Sequence, residues 1–205
     1  MEGRAEVVRV LESYLGGRDE VELRLGRLVD GVYESGVGHD DFERVLNRLN
    51  KGAGLVRAPQ TFAHEVHYDT GMIRDLDTGE HRRKVRARHV LFQLVGTPFA
   101  VRVCQSVEES ASPPKPRPRG KSIHTESAVR AKLRESYVYK NKARYDCSRC
   151  VTATIAAGML SAARCTYEIE VEAVGEISAE SLLMKLEDVA GFLAQGHKGY
   201  VIHVG

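Results

Sequence analysis

Two rows of glutamate stand out in the sequence by their alternation. Glu20, Glu22 and Arg24 take every second position of a segment in which Val21, Leu23 and Leu25 fill the others. Far along the chain, Glu168, Glu170 and Glu172 alternate with Ile169 and Val171. A period of two is that of a β-strand, so each row sets its charges on one face, roughly 7 Å apart. Like charges at that spacing repel and are tolerable only in open water or beside a neutralising cation. Two or three carboxylates from paired strands form the all-oxygen environment that magnesium and manganese take. The plain alternative is two edge strands with solvated faces.

The basic residues show the same regularity. Arg82, Lys84, Arg86 and Arg88 alternate, as do Arg130, Lys132 and Arg134, although the second set also suits a helix by propensity. Guanidinium and ammonium groups turned into one space call for a polyanion, and a phosphate chain is the obvious one. Metal-bearing carboxylates with a basic cradle are the equipment of phosphoryl transfer or phosphate-ester hydrolysis. Basic strands that touch RNA or an acidic protein from outside are the competing reading.

The overall charge conceals this segregation. The 205 residues hold 30 Lys or Arg and 28 Asp or Glu, a formal charge of +2 that argues against a uniform coat for nucleic acid. Between His81 and Arg144, however, sixteen basic residues face four acids, while the flanks hold fourteen basic against twenty-four acidic residues. A basic centre between acidic flanks can set a polyanion site beside a cation site.

The elements that position these rows follow from periodicity. Ala5 to Leu15, Asp40 to Asn50 and a segment from Ser178 as N-cap to Gly196 have helical spacing. Strand-like segments are Glu20 to Leu25, His64 to Tyr68, Ile73, Arg82 to Leu94, Ala100 to Val107, Val138 to Cys147, Val151 to Ile155 and Thr166 to Val171. Asp69-Thr70-Gly71, Asp77-Thr78-Gly79 and Gly96-Thr97-Pro98 are turn signals. About eight strands joined by short turns imply a mostly antiparallel, β-dominated α+β fold. Residues 111–122 hold four of the six prolines with Lys115, Arg117, Arg119 and Lys121. They are expected to form an exposed, largely disordered loop inside one domain spanning 1–205.

Several classes drop out. No apolar run approaches the ~18 residues of a membrane helix, so no membrane partner is expected, and the charged first ten residues lack a signal-peptide core. Four cysteines are too few and too uneven for a disulfide scaffold, which points to a reducing compartment. Cys147-Ser-Arg-Cys150 has zinc-like spacing but no second pair, and on a strand its two thiols face opposite ways. His64-Glu-Val-His67 lacks the helix and spacing of a metalloprotease, and no P-loop is present.

Five segments in order resemble the triphosphate tunnel metalloenzymes, and within them the metal-dependent RNA triphosphatases of mRNA capping. Glu20-Val-Glu22-Leu-Arg24-Leu-Gly26 resembles the first-strand signature, and Tyr167-Glu168-Ile-Glu170-Val-Glu172 the closing acidic strand. Phe99-Ala-Val-Arg-Val-Cys-Gln-Ser-Val-Glu108, Arg130-Ala-Lys132-Leu-Arg134-Glu-Ser-Tyr137 and Arg144-Tyr-Asp146-Cys-Ser148 resemble three internal strands of the capping branch. The similarity runs from about Arg18 to Ala173.

The resemblance implies an eight-stranded antiparallel barrel with a hydrophilic lumen, and removal of the γ-phosphate from 5′-triphosphate RNA, with metal-dependent hydrolysis of nucleoside triphosphates besides. Glu20, Glu22 and Glu172 would hold Mg2+ or Mn2+ with Glu170 beside them. Lys132 and Arg134 would bind the γ-phosphate, with Arg130 and Arg24 near them. Glu108 would orient or deprotonate the attacking water. Arg144, Asp146 and Ser148 would form a supporting polar network, and Glu168 would hold the basic residues. The family's remaining phosphate-contacting arginine is expected at Arg74, with His67 in reserve. Its tunnel lysine would fall on Ala87, which leaves Arg86 or Arg88 for that role. A separate RNA guanylyltransferase as partner and a nuclear location are further implications. A tunnel enzyme acting on inorganic triphosphate or ATP, and a noncatalytic binder of RNA ends, are the alternatives. Neither the preferred metal nor the oligomeric state is legible.

Overall fold

The computed structural model describes residues 3–15, 19–112, 126–156, 159–193 and 198–203, apart from the side chains at 86 and 87. Most of the proline-rich segment expected at 111–122 therefore lies outside the described residues. The elements are α1 (Arg4–Leu15), β1 (Glu20–Val29), β2 (Val32–Ser35), α2 (His39–Asn50), β3 (Leu55–Arg57), β4 (Thr61–Tyr68), β5 (Met72–Asp75) and β6 (His81–Leu94). There follow β7 (Phe99–Ser110), β8 (Glu126–Tyr139), β9 (Ala143–Ala156), β10 (Met159–Leu160), β11 (Arg164–Ala173), α3 (Ala179–Leu193) and β12 (Tyr200–His203).

Eight of these strands close on themselves. The path β9-β11-β1-β7-β6-β5-β4-β8 returns to its start through an extra pairing of β8 with β9, and every pairing is antiparallel. The expected eight-stranded antiparallel barrel with flanking helices is the fold observed. Four short strands extend the wall, β2 beside β1, β3 beside β8, β10 beside β9 and β12 beside β6. One expected strand, Val138 to Cys147, is instead the end of β8, a tight turn and the start of β9. Lys140 and Asn141 make that turn with φ of 50° and 55°, a conformation in which glycine is the usual signal. The segment from Arg130 to Arg134, open to a helical reading by propensity, is strand β8.

The barrel is polar inside and apolar outside. Val21, Leu23 and Leu25 of β1 share one continuous core with Val101 and Val103 of β7, Ile169 and Val171 of β11, and Phe42, Leu183, Leu186 and Leu11 of the helices. The three helices thus cover the outer face of these strands, and Ser178 caps α3 by accepting the Ser181 N–H at 3.2 Å. Burying one such aliphatic side chain is worth about 1.5–3 kcal/mol. A one-residue slip of β1 would turn Leu23 into the lumen and Glu22 into the core. The apolar half of the alternation therefore fixes where the charged half points. No helix among the described residues is long and apolar enough to cross a membrane.

Candidate active site

The register of β1 between β11 and β7 brings the two glutamate rows together. Glu22 lies opposite Glu172 and Arg24 opposite Glu170 across β1–β11, while Cys104 and Arg102 flank them on β7. Continuing around the wall, Glu172 faces Arg144, Glu170 faces Asp146 and Glu168 faces Ser148. Ser148 in turn faces Arg134, and Cys150 faces Lys132. Residues separated by well over a hundred positions thus enclose one cavity of about 460 Å³, lined by Glu20, Glu22, Glu170, Glu172, Lys132 and Arg134 among others. That size falls within the usual range for a small-molecule site.

Buried charges require partners, and here each row neutralises the other. Arg24 pairs with Glu22 at 2.9 Å and also with Glu170. Lys132 stands 3.8 Å from Glu170 and 4.0 Å from Glu168. Arg134 reaches Asp146 at 3.2 Å, and Arg130 reaches Glu168 at 2.6 Å. Burial alone would push the Glu170 carboxyl up, but Arg24, Lys132 and Arg134 outweigh it and hold it down at about 2. Burial likewise disfavours charge on Arg24, and Glu170, Glu22 and Glu168 reverse that. Asp146, fully buried, accepts from Ser136 at 2.6 Å and from Arg144 at 3.0 Å. Ser148 is also buried, with no hydrogen-bond partner for its hydroxyl among the described residues.

Glu108 sits at the rim, half-exposed, 3.2 Å from Arg82. Glu20 and Glu22 share the ammonium of Lys84, 3.1 Å from each. Glu172 holds Arg144 at 2.5 Å.

Two expected contacts need correction. Arg74 does not line the cavity: it is exposed and lies opposite Val66 on β4, whose side chain belongs to a small apolar cluster with Tyr68 and Met72. His67, the reserve candidate, does line it, 3.1 Å from Glu65. Arg88 also leaves the lumen. Its guanidinium stacks on Tyr14 of α1, 4.1 Å from the ring centroid, and donates to Gln105 at 2.6 Å. A register shift between Arg86 and Arg88 reverses the alternation of β6 at Ala87. The side chain of Arg86 lies outside the described residues.

Three charged residues of the cavity were given no role from the sequence. Arg82 and Lys84 precede the bulge and keep the inward phase that Arg88 loses. Glu65 is buried and pairs with Arg82, its carboxyl pushed up by burial but held at about 2 by His67, Arg82 and Arg130. The signal for Arg82 and Lys84 was the alternation itself. For Glu65 it was the polar phase of Glu65 and His67 within β4.

Among the described residues no three acidic, histidine or cysteine groups already converge on one point. The donor set nevertheless suits a hard cation, being all oxygen. Its electrostatics point the same way. Burial pushes the Glu172 carboxyl up to about 7, Arg144 opposes this, and Glu20 and Asp146 add to it. That corner is short of positive charge, and the Lys84 ammonium occupies the place between Glu20 and Glu22 where cationic charge is wanted. Glu20, Glu22 and Glu172 therefore fit a divalent cation, whereas Glu170 already holds three basic residues.

The sequence matches no protein-family model and no curated protein. The structure is similar to that of the RNA triphosphatase Pct1 of S. pombe, with a TM-score of 0.68 at 16% identity over 96% of this chain and 94% of that one. A second structure of Pct1, in complex with the Spt5 CTD, gives 0.61 at 16% identity over 95% and 87%. The Mimivirus capping enzyme triphosphatase gives 0.59 at 12% identity over 93% and 96%. The protein therefore has the fold of the tunnel-type RNA triphosphatases.

Proposed function

We propose that this protein is a metal-dependent RNA 5′-triphosphatase, which removes the γ-phosphate of triphosphate-ended RNA in the first step of cap formation and also hydrolyses nucleoside triphosphates. The observation that carries the reading is the single cavity in which Glu20, Glu22 and Glu172 stand against Lys132, Arg134 and Arg144. The likeness in fold to the two RNA triphosphatases supports it.

The charge inside the barrel narrows the substrate. Among the described residues six carboxylates and seven Lys or Arg line the cavity, so little cationic surplus remains for a bare triphosphate. The anion must arrive with a cation of its own. Glu20, Glu22 and Glu172 would hold Mg2+ or Mn2+, which would neutralise charge on the phosphate chain and polarise the γ-phosphoryl group. Lys132 and Arg134, already within 3.9 Å of Glu170, would donate to the γ-phosphate oxygens and favour the charge that shifts during transfer. Arg130, Arg82 and Lys84 widen this cradle, and Arg144 is fixed beside Glu172 by Asp146. Water attacks phosphorus, the bond from the γ-phosphorus to the β,γ-bridging oxygen breaks, and its electron pair leaves with the diphosphate end. Glu108 would orient that water from the rim and take its proton. A separate guanylyltransferase would then use the diphosphate end, and such a role would place the protein in the nucleus.

Phosphate release from γ-labelled triphosphate RNA, ATP and tripolyphosphate, each with and without Mg2+ or Mn2+, tests the assignment. Metal-dependent release from RNA and ATP is expected. Release from tripolyphosphate alone would make the chain an inorganic triphosphatase, and no release from any substrate would make it a binder.

A further inference from the structure

A second chamber of about 320 Å³ adjoins the main cavity inside the barrel, and its chemistry differs. It is bounded by Glu22, Arg24, His67 and Lys84, which it shares, and by Arg102 and Ser106 of β7, which it does not. None of Arg130, Lys132 and Arg134 reaches it. Arg102 lies opposite Arg24 across β1–β7, on the lumen face and next to the β1–β2 hairpin.

Arg102 is electrically unmatched. Arg24, Arg82, Lys84, Arg130, Lys132, Arg134 and Arg144 each have a carboxylate within 4.0 Å. Among the described residues Arg102 has none, and its one specific contact is the ring of Tyr33, 4.9 Å from the guanidinium. Its Nε is buried without a hydrogen-bond partner, and so is the hydroxyl of Ser106. Tyr33 does not supply the missing charge. Burial raises its phenol to about 12 against the pull of Arg102 and Arg24, so it stays neutral, and it donates to the Arg24 carbonyl at 2.9 Å.

Arg24 and Lys84 in the wall are already paired with Glu22, Glu170 and Glu20, so among the described residues the uncompensated charge of the chamber is that of Arg102. Its unpartnered donors are the Arg102 guanidinium and the Ser106 hydroxyl. That set suits a tetrahedral oxyanion.

We propose that Arg102 and Ser106 form an inner phosphate subsite, beyond the γ-phosphate cradle, that takes one further phosphate group. This rests on the proposed triphosphatase reading of the main cavity. The group has two possible sources with the same chemistry: orthophosphate released by hydrolysis, or the fourth unit of a longer polyphosphate chain.

Calorimetric titration of the full chain separates these sources. In the first arm, inorganic phosphate is titrated into protein saturated with Mg2+ and β,γ-imido-ATP, which fills the main cavity. In the second, tetrapolyphosphate is compared with tripolyphosphate. Arg102→Gln should weaken orthophosphate binding in the first arm, or the preference for tetrapolyphosphate in the second, by about tenfold or more. Arg102→Lys should retain most of the wild-type value, which guards against a folding defect. Equal values for wild type and Arg102→Gln in both arms would overturn the subsite and leave Arg102 as packing for Tyr33. Failure of the imido-ATP to bind would count against the triphosphatase reading. The subsite would then be judged on phosphate alone, by whether Arg102→Gln binds it more weakly than wild type.

Discussion

Glu22 and Glu172 lie directly opposite each other on the paired strands β1 and β11, both turned into the barrel. Two carboxylates in that relation would repel in an apolar interior. Here Lys84 stands against one and Arg144 against the other. Replacing either glutamate by glutamine keeps the shape and removes one anionic oxygen ligand. Glu22→Gln and Glu172→Gln are each expected to lower metal-stimulated phosphate release by about 100-fold or more. Titration of Mn2+ against rate should show the loss, while circular dichroism keeps the wild-type spectrum.

The bulge in β6 predicts a contrast between Lys84 and Arg88, which alternate in the sequence as equivalents. Lys84→Ala and Arg134→Ala should lower turnover strongly, because both side chains line the main cavity. Arg88→Ala and Arg74→Ala should leave kcat/KM within about twofold. Both project outside the barrel, and Arg74→Ala in particular should change stability by no more than about 0.5 kcal/mol. A turnover defect in Arg88→Ala as deep as that of Arg134→Ala would contradict the register assigned to β6.

Glu65 links the cavity to the pH dependence of folding. Its carboxyl is held at about 2 against an ordinary value of 4.5. A depressed carboxylate contributes stability that is complete above the unfolded value and is lost as pH falls toward the folded one. Wild type should therefore melt above Glu65→Gln at pH 7. The gap should narrow below about pH 4.5 and close near pH 2. A gap that stays constant from pH 7 to pH 3 would show that Glu65 acts through packing instead.

Gly26 is required by the close approach of β2. A Cβ there would lie 2.3 Å from the Glu34 carbonyl oxygen and 2.6 Å from the Tyr33 ring. Neither the backbone nor the stacked ring can yield cheaply. Gly26→Ala should therefore destabilise the fold by about 1–3 kcal/mol, read from the urea midpoint.

The sequence made one class of information visible and hid another. Strands with one apolar face buried under helices, such as β1 and β11, announce their polar face, so alternation set Glu20 with Glu22 and Glu170 with Glu172 on one face each, and the resemblance brought the two rows together. The same holds for Arg130, Lys132 and Arg134 once β8 is known to be a strand. Departures from regularity were not legible. One extra residue at Ala87 reverses the phase of β6 and carries Arg88 outside, and no glycine or proline marks it. The Lys140-Asn141 turn likewise lacks glycine, so two strands read as one. On β5 the strand is only four residues long, too short for alternation to tell Ile73, which faces inward, from Arg74, which does not.

The most direct measurement is the rate of γ-phosphate release from triphosphate-ended RNA by wild type and Glu172→Gln, each with excess chelator and with Mn2+ restored. Metal-dependent release by the wild type, abolished in a folded Glu172→Gln variant, is the predicted result. Equal release by the two proteins, or release by the wild type that chelation does not change, would contradict the assignment of the glutamate rows to a metal–triphosphate site.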